Sequence, residues 1–442
     1  MMKNTLTKIF ILFFLISGFQ ACDVEEFSDL NNPEVDAFRD NLTRGDLQDL
    51  VGGVLYSMRV RLGTYYDDLG VIGREYWRFS SSDPRFTADL LGKENAVLDN
   101  NTFYITNPWA ARYRTVKNVN LILEFIEGQD VSAQFSDSEI SATKGFLKTV
   151  KAYELLLNLN LTYQNGIRID VADENNLGPF LGYDAALTAI RALLDEAAGD
   201  LQNGGDSYPF TLTSGFSGFS TPQSFLEANK AIAARVAAYQ EDFPAVLDYL
   251  EDSFLTLDAS MLDEGIYYNF SADQTDILNP LFFPVEATTA GARIVQPDFV
   301  TDAEDGDERL SKVAHRSEPL TFDFLTGDYA VFRYTSNIDA IPIIRNEELI
   351  LLYAEANIYQ NPSEAVEALN LIRNSAGLDD YDGDSSEASL IDEMLIQRRY
   401  SLFAEGHRWL DVRRYDRLDE LPTDREGDDV FEQLHGKDLC PH

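Results

Sequence analysis

Apolar residues at helical spacing, in segments joined by very short connections, constrain the fold of this 442-residue chain more than any other feature. Two such faces follow each other near the C-terminal end, made of Leu349, Leu352, Tyr353 and Ala356, and of Ala365, Ala368, Leu369 and Ile372. Asn361-Pro362 separates the two faces and Gly377 follows the second, which is where a helix start and a helix end are expected. Because only a few residues join the two helices, they must lie antiparallel.

The same pattern recurs earlier in the chain and predicts two more helix pairs. These are 107–128 with 138–163, and 184–203 with 221–240. Helix-start signals precede them at Asn107-Pro108, Ser136 with Glu139, Asp184 and Thr221-Pro222, and Phe243-Pro244 starts a further short helix. Paired helices of this kind build tetratricopeptide-type arrays. We therefore expect a mainly α fold, an irregular helix-pair array covering about 40–62, 107–260 and 342–418.

Two stretches lack this period, namely 63–106 and 260–341. Prolines, glycines and aromatic residues interrupt them, which predicts long loops with short strands. Loops of this length in a compact protein are usually functional. We expect the ligand-binding part of the molecule here.

The charge of the chain excludes one class of partner. Lys and Arg number 35 against 75 Asp and Glu, a formal net charge of −40. Nucleic-acid binding is driven by basic residues, so no nucleic-acid partner is expected. The same charge disfavours strongly anionic glycans at low salt and favours a neutral or cationic ligand.

Residues 1–21 have the features of an export signal. Two lysines precede the apolar run 9–16, which is too short to span a membrane. A small residue, Ala21, stands directly before Cys22, the pattern of a bacterial lipoprotein in which the cysteine becomes the lipidated N-terminus. An ordinary secretory signal is the alternative. The lipid would be the membrane anchor and would leave Cys440 as a lone thiol.

Three motifs in the C-terminal third resemble the SusD/RagB family of surface lipoproteins from Bacteroidetes. They are IPIIRNEEL at 341–349 running into YAEA at 353–356, LNLIRNSAGL at 369–378, and QRRYSLFAEGHRWLDVRR at 397–414. With the lipoprotein signal, the resemblance covers nearly the whole chain after residue 21, as one SusD-like domain from 22 to 442. Gln397 departs from it, because the family usually has an acidic residue there.

The resemblance implies a lid-like partnership with a SusC-like, TonB-dependent outer-membrane transporter. It implies capture of a nutrient for import, most often an oligosaccharide, with no catalysis and no cofactor. Asp23, Glu25 and Glu26 resemble the acidic tag that sends such lipoproteins to the outer face of the outer membrane. Capture of peptides, as in RagB-like members, is the alternative, and a surface glycan hydrolase is a more distant one.

Charged pairs in the third motif have a structural interpretation. Glu405 with Arg408, and Asp411 with Arg414, are three residues apart and can pair on a helix surface. We expect them to fix the last helices onto the array.

Sugar sites combine flat aromatic rings with polar groups that hydrogen-bond hydroxyls. Candidates with this chemistry are Asp67, Asp68, Arg74 and Trp77 in the first irregular stretch, Tyr267 and Tyr268 with Phe282-Phe283 nearby in the second, and Arg373 and Tyr381 around the turn after the second motif. The structural alternatives are a solvated loop for the charged residues, loop packing for the tyrosines and a core or barrel-facing role for Trp77.

Motifs for catalysis or metal binding are not found in the sequence. It has no His-Glu-x-x-His, no Gly-x-Ser-x-Gly and no phosphate-binding Gly-x-x-x-x-Gly-Lys. The acidic turn 379–384 is oxygen-rich, but it fails the EF-hand pattern for Ca²⁺ at both ends. We therefore expect no catalytic residue and no metal site.

Overall fold

The structure is a computed structural model that describes residues 38–39 and 41–430. The predicted signal segment 1–21, Cys22 and Cys440 lie outside these residues. The fold below is that of the compact unit that begins at Leu42. Among the described helices, none is both long and apolar enough to cross a bilayer.

Helices dominate the structure and form consecutive packed pairs. In chain order they are α1 (Arg44–Ser57), α2 (Leu62–Ile72), α3 (Phe103–Glu127), α4 (Asp137–Thr162), α5 (Tyr183–Gln202), α6 (Pro222–Tyr239), α7 (Phe243–Glu251), α8 (Asp298–Thr301), α9 (Asn346–Gln360), α10 (Pro362–Ser375), α11 (Glu387–Ser401) and α12 (Arg408–Arg414). Helix α4 packs on α3 and α5, α5 on α6, and α9 on α7, α10 and α11. The prediction of a mainly α fold with tetratricopeptide-like helix pairs is confirmed.

Several helix ends follow the sequence signals. Ser136 and Thr221 each accept the backbone N–H three residues later, in reciprocal capping boxes that start α4 and α6. Gly377 has φ +79° after α10, the left-handed conformation that suits glycine. Asp184 differs, because Gly182 is the N-cap and Asp184 lies in the first turn of α5.

Helix α3 starts four residues before the predicted Asn107, with Pro108 inside it. Tyr104, in the added turn, is buried and its hydroxyl donates to Asp89 at 3.0 Å. This packing stabilises the extra turn although Pro108 cannot donate a backbone hydrogen bond.

Residues 62–72 form helix α2, where the sequence pattern predicted loops from 63 onward. Every residue of α2 except Thr64 is buried. A helix that is covered on all sides has no amphipathic period, which is why the pattern missed it. Asp67 and Asp68 therefore lie on a buried helix.

In the part of the chain that the structure describes, eight short strands form three antiparallel sheets. The strands are β1 (Tyr76–Arg78), β2 (Ile167–Arg168), β3 (Phe180–Leu181), β4 (Gly265–Tyr268), β5 (Arg293–Val295), β6 (Val313–Phe322), β7 (Leu325–Val331) and β8 (Ile341–Arg345). The largest sheet has the order β1–β5–β7–β6, and the smaller two are β2 with β3 and β4 with β8. Arg78 of β1 is the register partner of Arg293 of β5, so the sheet brings two distant arginines together beside α2.

Two ion pairs were predicted in the third motif. One of them is formed, and in the other the carboxylate has different partners. Asp411 and Arg414 lie 3.5 Å apart, as predicted. Glu405 does not pair with Arg408. It accepts from Arg333 at 3.0 Å and Arg345 at 3.1 Å, because the chain between α11 and α12 is not helical and turns at Ala404 (φ +60°).

Gln397, the departure from the family pattern, keeps a buried polar role. Its side-chain oxygen accepts from Arg309 at 2.7 Å and its amide donates to Glu393 at 2.8 Å. The amide therefore satisfies an arginine on one side and a carboxylate on the other, and α11 keeps its packing.

Candidate ligand-binding site

A cavity of about 460 Å³ opens where the turn between α1 and α2 meets the loop-rich part of the chain. Its lining includes aromatic rings, aliphatic loop residues and a cluster of arginines. The main groups are Tyr56, Arg59 and Arg61 from the turn region, Gly63 and Asp67 from α2, Arg78 from β1, Ile277, Leu278, Pro280 and Phe283 from the loop, and Arg293 from β5. This size and mixture of groups are typical of a small-molecule site.

The approach of the loop to α2 depends on Gly63. A Cβ atom at this position would lie 2.8 Å from the Pro280 Cβ atom. Real Cβ contacts are not this short, so the wall of the cavity at Pro280 requires a glycine on the facing helix.

Asp67 is the electrostatic centre of the cavity. Its carboxylate accepts from the Arg293 Nε at 2.6 Å and Nη2 at 2.9 Å, and the Arg78 Nε lies 3.1 Å away. Burial alone would lower the pKa of Arg293, but the charge of Asp67 raises it. The pair is therefore a fixed ion pair that holds the arginines in place.

Asp68 is the next residue on α2 and has a different environment. It is buried, and neither carboxylate oxygen has a hydrogen-bond partner in the described part of the chain. Burial first, and then the neighbouring charge of Asp67, raise its pKa well above the ordinary value. Asp68 does not line the cavity, and the raised pKa favours its uncharged form.

Aromatic rings and cations alternate along the cavity wall. The Tyr56 side chain is 43% exposed, which leaves ring surface available to a ligand. The Arg59 guanidinium lies 5.7 Å from the Tyr56 ring centre and pairs with Asp276 at 2.7 Å. The Arg293 guanidinium lies 4.3 Å from the Phe283 ring centre. Such a wall offers ring faces for C–H groups and donors for hydroxyl or anionic oxygens.

Arg74 and Trp77 are packed in the interior of the protein, where solvent does not reach their side chains. Arg74 is 3% exposed and donates only to backbone carbonyls in the bonds described, including those of Pro422 and Asp429. Trp77 is also 3% exposed, and its indole donates to Asp424 at 2.6 Å. The irregular sequence suggested an exposed loop here, but β1 and its covering segment bury both side chains.

The remaining predicted residues lie outside the cavity. Tyr268 is buried in β4, and the Tyr267 hydroxyl donates to the Asp263 carbonyl oxygen. Arg373 pairs with Glu393 at 2.9 Å and Glu304 at 2.8 Å. The Tyr381 hydroxyl donates to the Asp384 carbonyl oxygen at 3.0 Å, within the acidic turn. Of the predicted set, only Asp67 lines the cavity.

Sequence reasoning missed most of the cavity wall. Tyr56, Arg59 and Arg61 belong to a segment that was predicted to be part of the helical array and not of a binding site. Arg293 had a usable signal, since it is a single charge beside the apolar residues Ile294 and Val295 and therefore needs a buried partner. Phe283 had been noted as part of an aromatic cluster.

The described residues form other cavities as well. A wider cavity of about 740 Å³ lies between helices at Tyr163, Tyr183 and Tyr239, and an apolar one of about 300 Å³ lies at Trp109 and Phe180. Neither contains a predicted residue. Within residues 38–39 and 41–430, no group of three His, Cys, Asp or Glu side chains is placed to hold a metal ion.

Comparisons with known proteins agree with the fold. Residues 326–435 match the model of the SusD family. SusD-like protein P38 from Formosa agariphila is 29% identical over 160 residues, 31% of this chain. The matching segment spans only 32% of that relative's length.

Solved structures are similar over most of the chain. A SusD superfamily protein from Bacteroides vulgatus has a TM-score of 0.62 and 18% identity, covering 86% of this chain and 90% of its own. Surface glycan-binding protein A from Bacteroides thetaiotaomicron, solved in complex with laminarihexaose, has a TM-score of 0.64 and 15% identity, covering 87% and 93%. At these identities the likeness is one of fold.

Proposed function

The chain belongs to the SusD/RagB family, and on that premise we propose that it is a non-catalytic lipoprotein that captures an oligosaccharide in the cavity around Asp67. One observation carries this proposal. The exposed ring of Tyr56 lines the cavity together with Arg59 and Arg78, and guanidinium N–H groups are donors for sugar hydroxyls. The laminarihexaose complex of a protein with the same fold supports the choice of ligand class.

The cellular role follows from the sequence features. Lipid on Cys22 would anchor the protein to the outer membrane, with the binding unit facing outside. There it would act as the lid of a SusC-like, TonB-dependent transporter and deliver captured ligand for import. Purification of the lipidated protein from native membranes tests both points. We expect palmitate labelling that is lost in Cys22→Ala and co-purification of a barrel transporter, and absence of both contradicts the anchored-lid role.

Calorimetric titration tests the ligand class. The protein lacking residues 1–22 is titrated with neutral oligosaccharides, acidic oligosaccharides and peptides. Binding of an oligosaccharide is expected, and Tyr56→Ala should weaken it at least tenfold because stacking on the ring is lost. Phe324→Ala is the matched control, since Phe324 is 87% exposed and does not line the cavity.

Two results would replace the proposal. Binding of peptides without binding of any oligosaccharide would favour the RagB-like alternative. Release of shorter sugars from a polysaccharide by the pure protein would favour a hydrolase.

A further inference from the structure

The wall of the cavity is positively charged, although the chain as a whole is strongly acidic. Among the described residues that line it are four arginines, Arg59, Arg61, Arg78 and Arg293, and one carboxylate, Asp67. Counting also Asp276, which pairs with Arg59, the local balance is 4 − 2 = +2. The chain carries −40. Four cations concentrated in one concave surface are therefore a local exception.

Part of this charge has no partner among the described residues. Arg61 is exposed and forms no ion pair with the described residues. The Arg293 side chain is 4% exposed, and its Nη1 is buried with no hydrogen-bond partner within residues 38–39 and 41–430. A buried donor that is left unpaired is costly unless a ligand satisfies it. The cavity thus holds two guanidinium groups with unused donors.

Helix α2 begins in the same cavity. Leu62, Gly63 and Thr64 of its first turn line the wall, and the turn has neither a side-chain cap nor an acidic residue. The free N–H groups and the dipole of a helix N-terminus attract anions. Arg61 precedes this turn in the left-handed conformation, φ +58°, which is unusual for a residue with a side chain. Gly63 adds no side chain to shield the backbone.

Taking the glycan-binding role above as its basis, we propose that the ligand of this cavity is an anionic oligosaccharide. Its carboxylate or sulfate group binds between Arg61, the Arg293 Nη1 and the first turn of α2. Tyr56 and Phe283 then contact the sugar rings beside that group. The total charge of the chain favoured a neutral or cationic ligand. The local charge of the cavity wall favours an anionic one, and this proposal follows the local charge.

The total charge does not prevent this binding. Charges more than about 8 Å away are largely screened at physiological ionic strength. The ligand group would contact the arginines directly, in a partly enclosed site where attraction is stronger than in water. Asp68 lies outside the lining, and burial, followed by the charge of Asp67, raises the pKa of its carboxyl, which favours the uncharged form.

A small anion can locate the site without knowledge of the natural glycan. Crystals of the protein are soaked in selenate, and the anomalous signal of selenium is mapped. We expect a peak between Arg61, Arg293 and the first turn of α2, and a loss of that peak in Arg61→Asn. Asparagine tolerates the left-handed conformation, so this variant keeps the backbone. A cavity without selenate would overturn the proposal.

Matched sugar pairs test the ligand class itself. A uronic-acid oligosaccharide is compared with its carboxyl-reduced form, and a sulfated one with its desulfated form. We expect the charged member of at least one pair to bind at least tenfold tighter, with affinity falling as salt increases. Arg61→Asn should remove most of that preference, whereas Arg114→Gln, an exposed arginine of α3 outside the cavity, should keep it.

The outcomes separate the two proposals. If neutral members bind as tightly as charged ones, the anionic ligand is wrong and glycan capture stands. If selenate binds in the cavity but only acidic peptides bind among the larger ligands, glycan capture is wrong and so is the anionic oligosaccharide.

Discussion

Asp67 and Arg293 are 226 residues apart in sequence and form a buried, two-point ion pair, with distances of 2.6 and 2.9 Å. Asp67 belongs to helix α2 and Arg293 to strand β5 of the loop-rich part. The pair therefore joins the helical array to the sheet at the cavity. Its removal should affect both the stability of the fold and the binding site.

Asp67→Asn should lower the free energy of unfolding by about 3 kcal/mol, because it leaves Arg293 buried without its counter-charge. Urea unfolding measures this change. The control is Asp49→Asn, an exposed aspartate on α1, which should change stability by less than about 0.5 kcal/mol. Equal urea midpoints for Asp67→Asn and Asp49→Asn would show that the Asp67–Arg293 ion pair does not hold the helical array and the sheet together.

How far the sequence predicts this molecule depends on how each element is buried. Helices such as α5 and α10 have one covered face, so their period was visible, and capping boxes marked the starts of α4 and α6. Helix α2 is covered all around and shows no period, so it was missed. Arg74 and Trp77 have the composition of a sugar site, but composition does not distinguish a buried contact from an exposed one.

The cavity itself could not be predicted because its wall is assembled from distant segments. Arg61, Arg78 and Arg293 become neighbours only through the pairing of β1 with β5 and the packing of α2 beside it. Nothing local in the sequence specifies that register. The family resemblance gave the fold and the class of function, but not the residues of the site.

Gly63→Ala should move the Pro280 loop and weaken ligand binding. The added Cβ would lie 2.8 Å from the Pro280 Cβ atom, and relief of such overpacking typically costs about 1–3 kcal/mol. Titration with the bound glycan and urea unfolding measure the two effects. Gly52→Ala on α1 is the control, because a Cβ there meets nothing within 4 Å. That variant should be neutral or stabilised by up to about 1 kcal/mol. Unchanged affinity in Gly63→Ala would mean that the loop does not shape the site.

Arg74→Gly should release the segment that covers β1. The Arg74 guanidinium donates to the carbonyls of Pro422 at 3.1 Å and Asp429 at 2.9 Å, and glycine keeps the local φ of +55° without strain. Hydrogen exchange should show faster exchange in residues 422–429, while ligand affinity changes little. Arg85→Gly, which loses an exposed pair with Asp83, is the control and should leave that segment protected. If Arg74→Gly lost ligand affinity while hydrogen exchange in residues 422–429 stayed unchanged, Arg74 would be a ligand-binding residue.

Glu75 should make stability fall as pH rises. Burial raises its pKa to about 8 from 4.5, although the Ala404 N–H donates to its carboxylate at 3.0 Å and opposes the rise. Between these two values the folded protein keeps a proton that the unfolded chain has lost. The free energy of unfolding therefore decreases with pH across this window, by at most about 1.4 kcal/mol per pH unit from this group.

Glu75→Gln keeps the hydrogen-bond acceptor but cannot ionise, so its stability relative to wild type should rise steadily between pH 4.5 and about 8. Urea unfolding of both proteins across the window measures this difference, with the exposed Glu251→Gln as a control whose difference stays constant. A constant difference for Glu75→Gln as well would mean that the Glu75 carboxyl is already ionised in the fold and that a partner stabilises its charge.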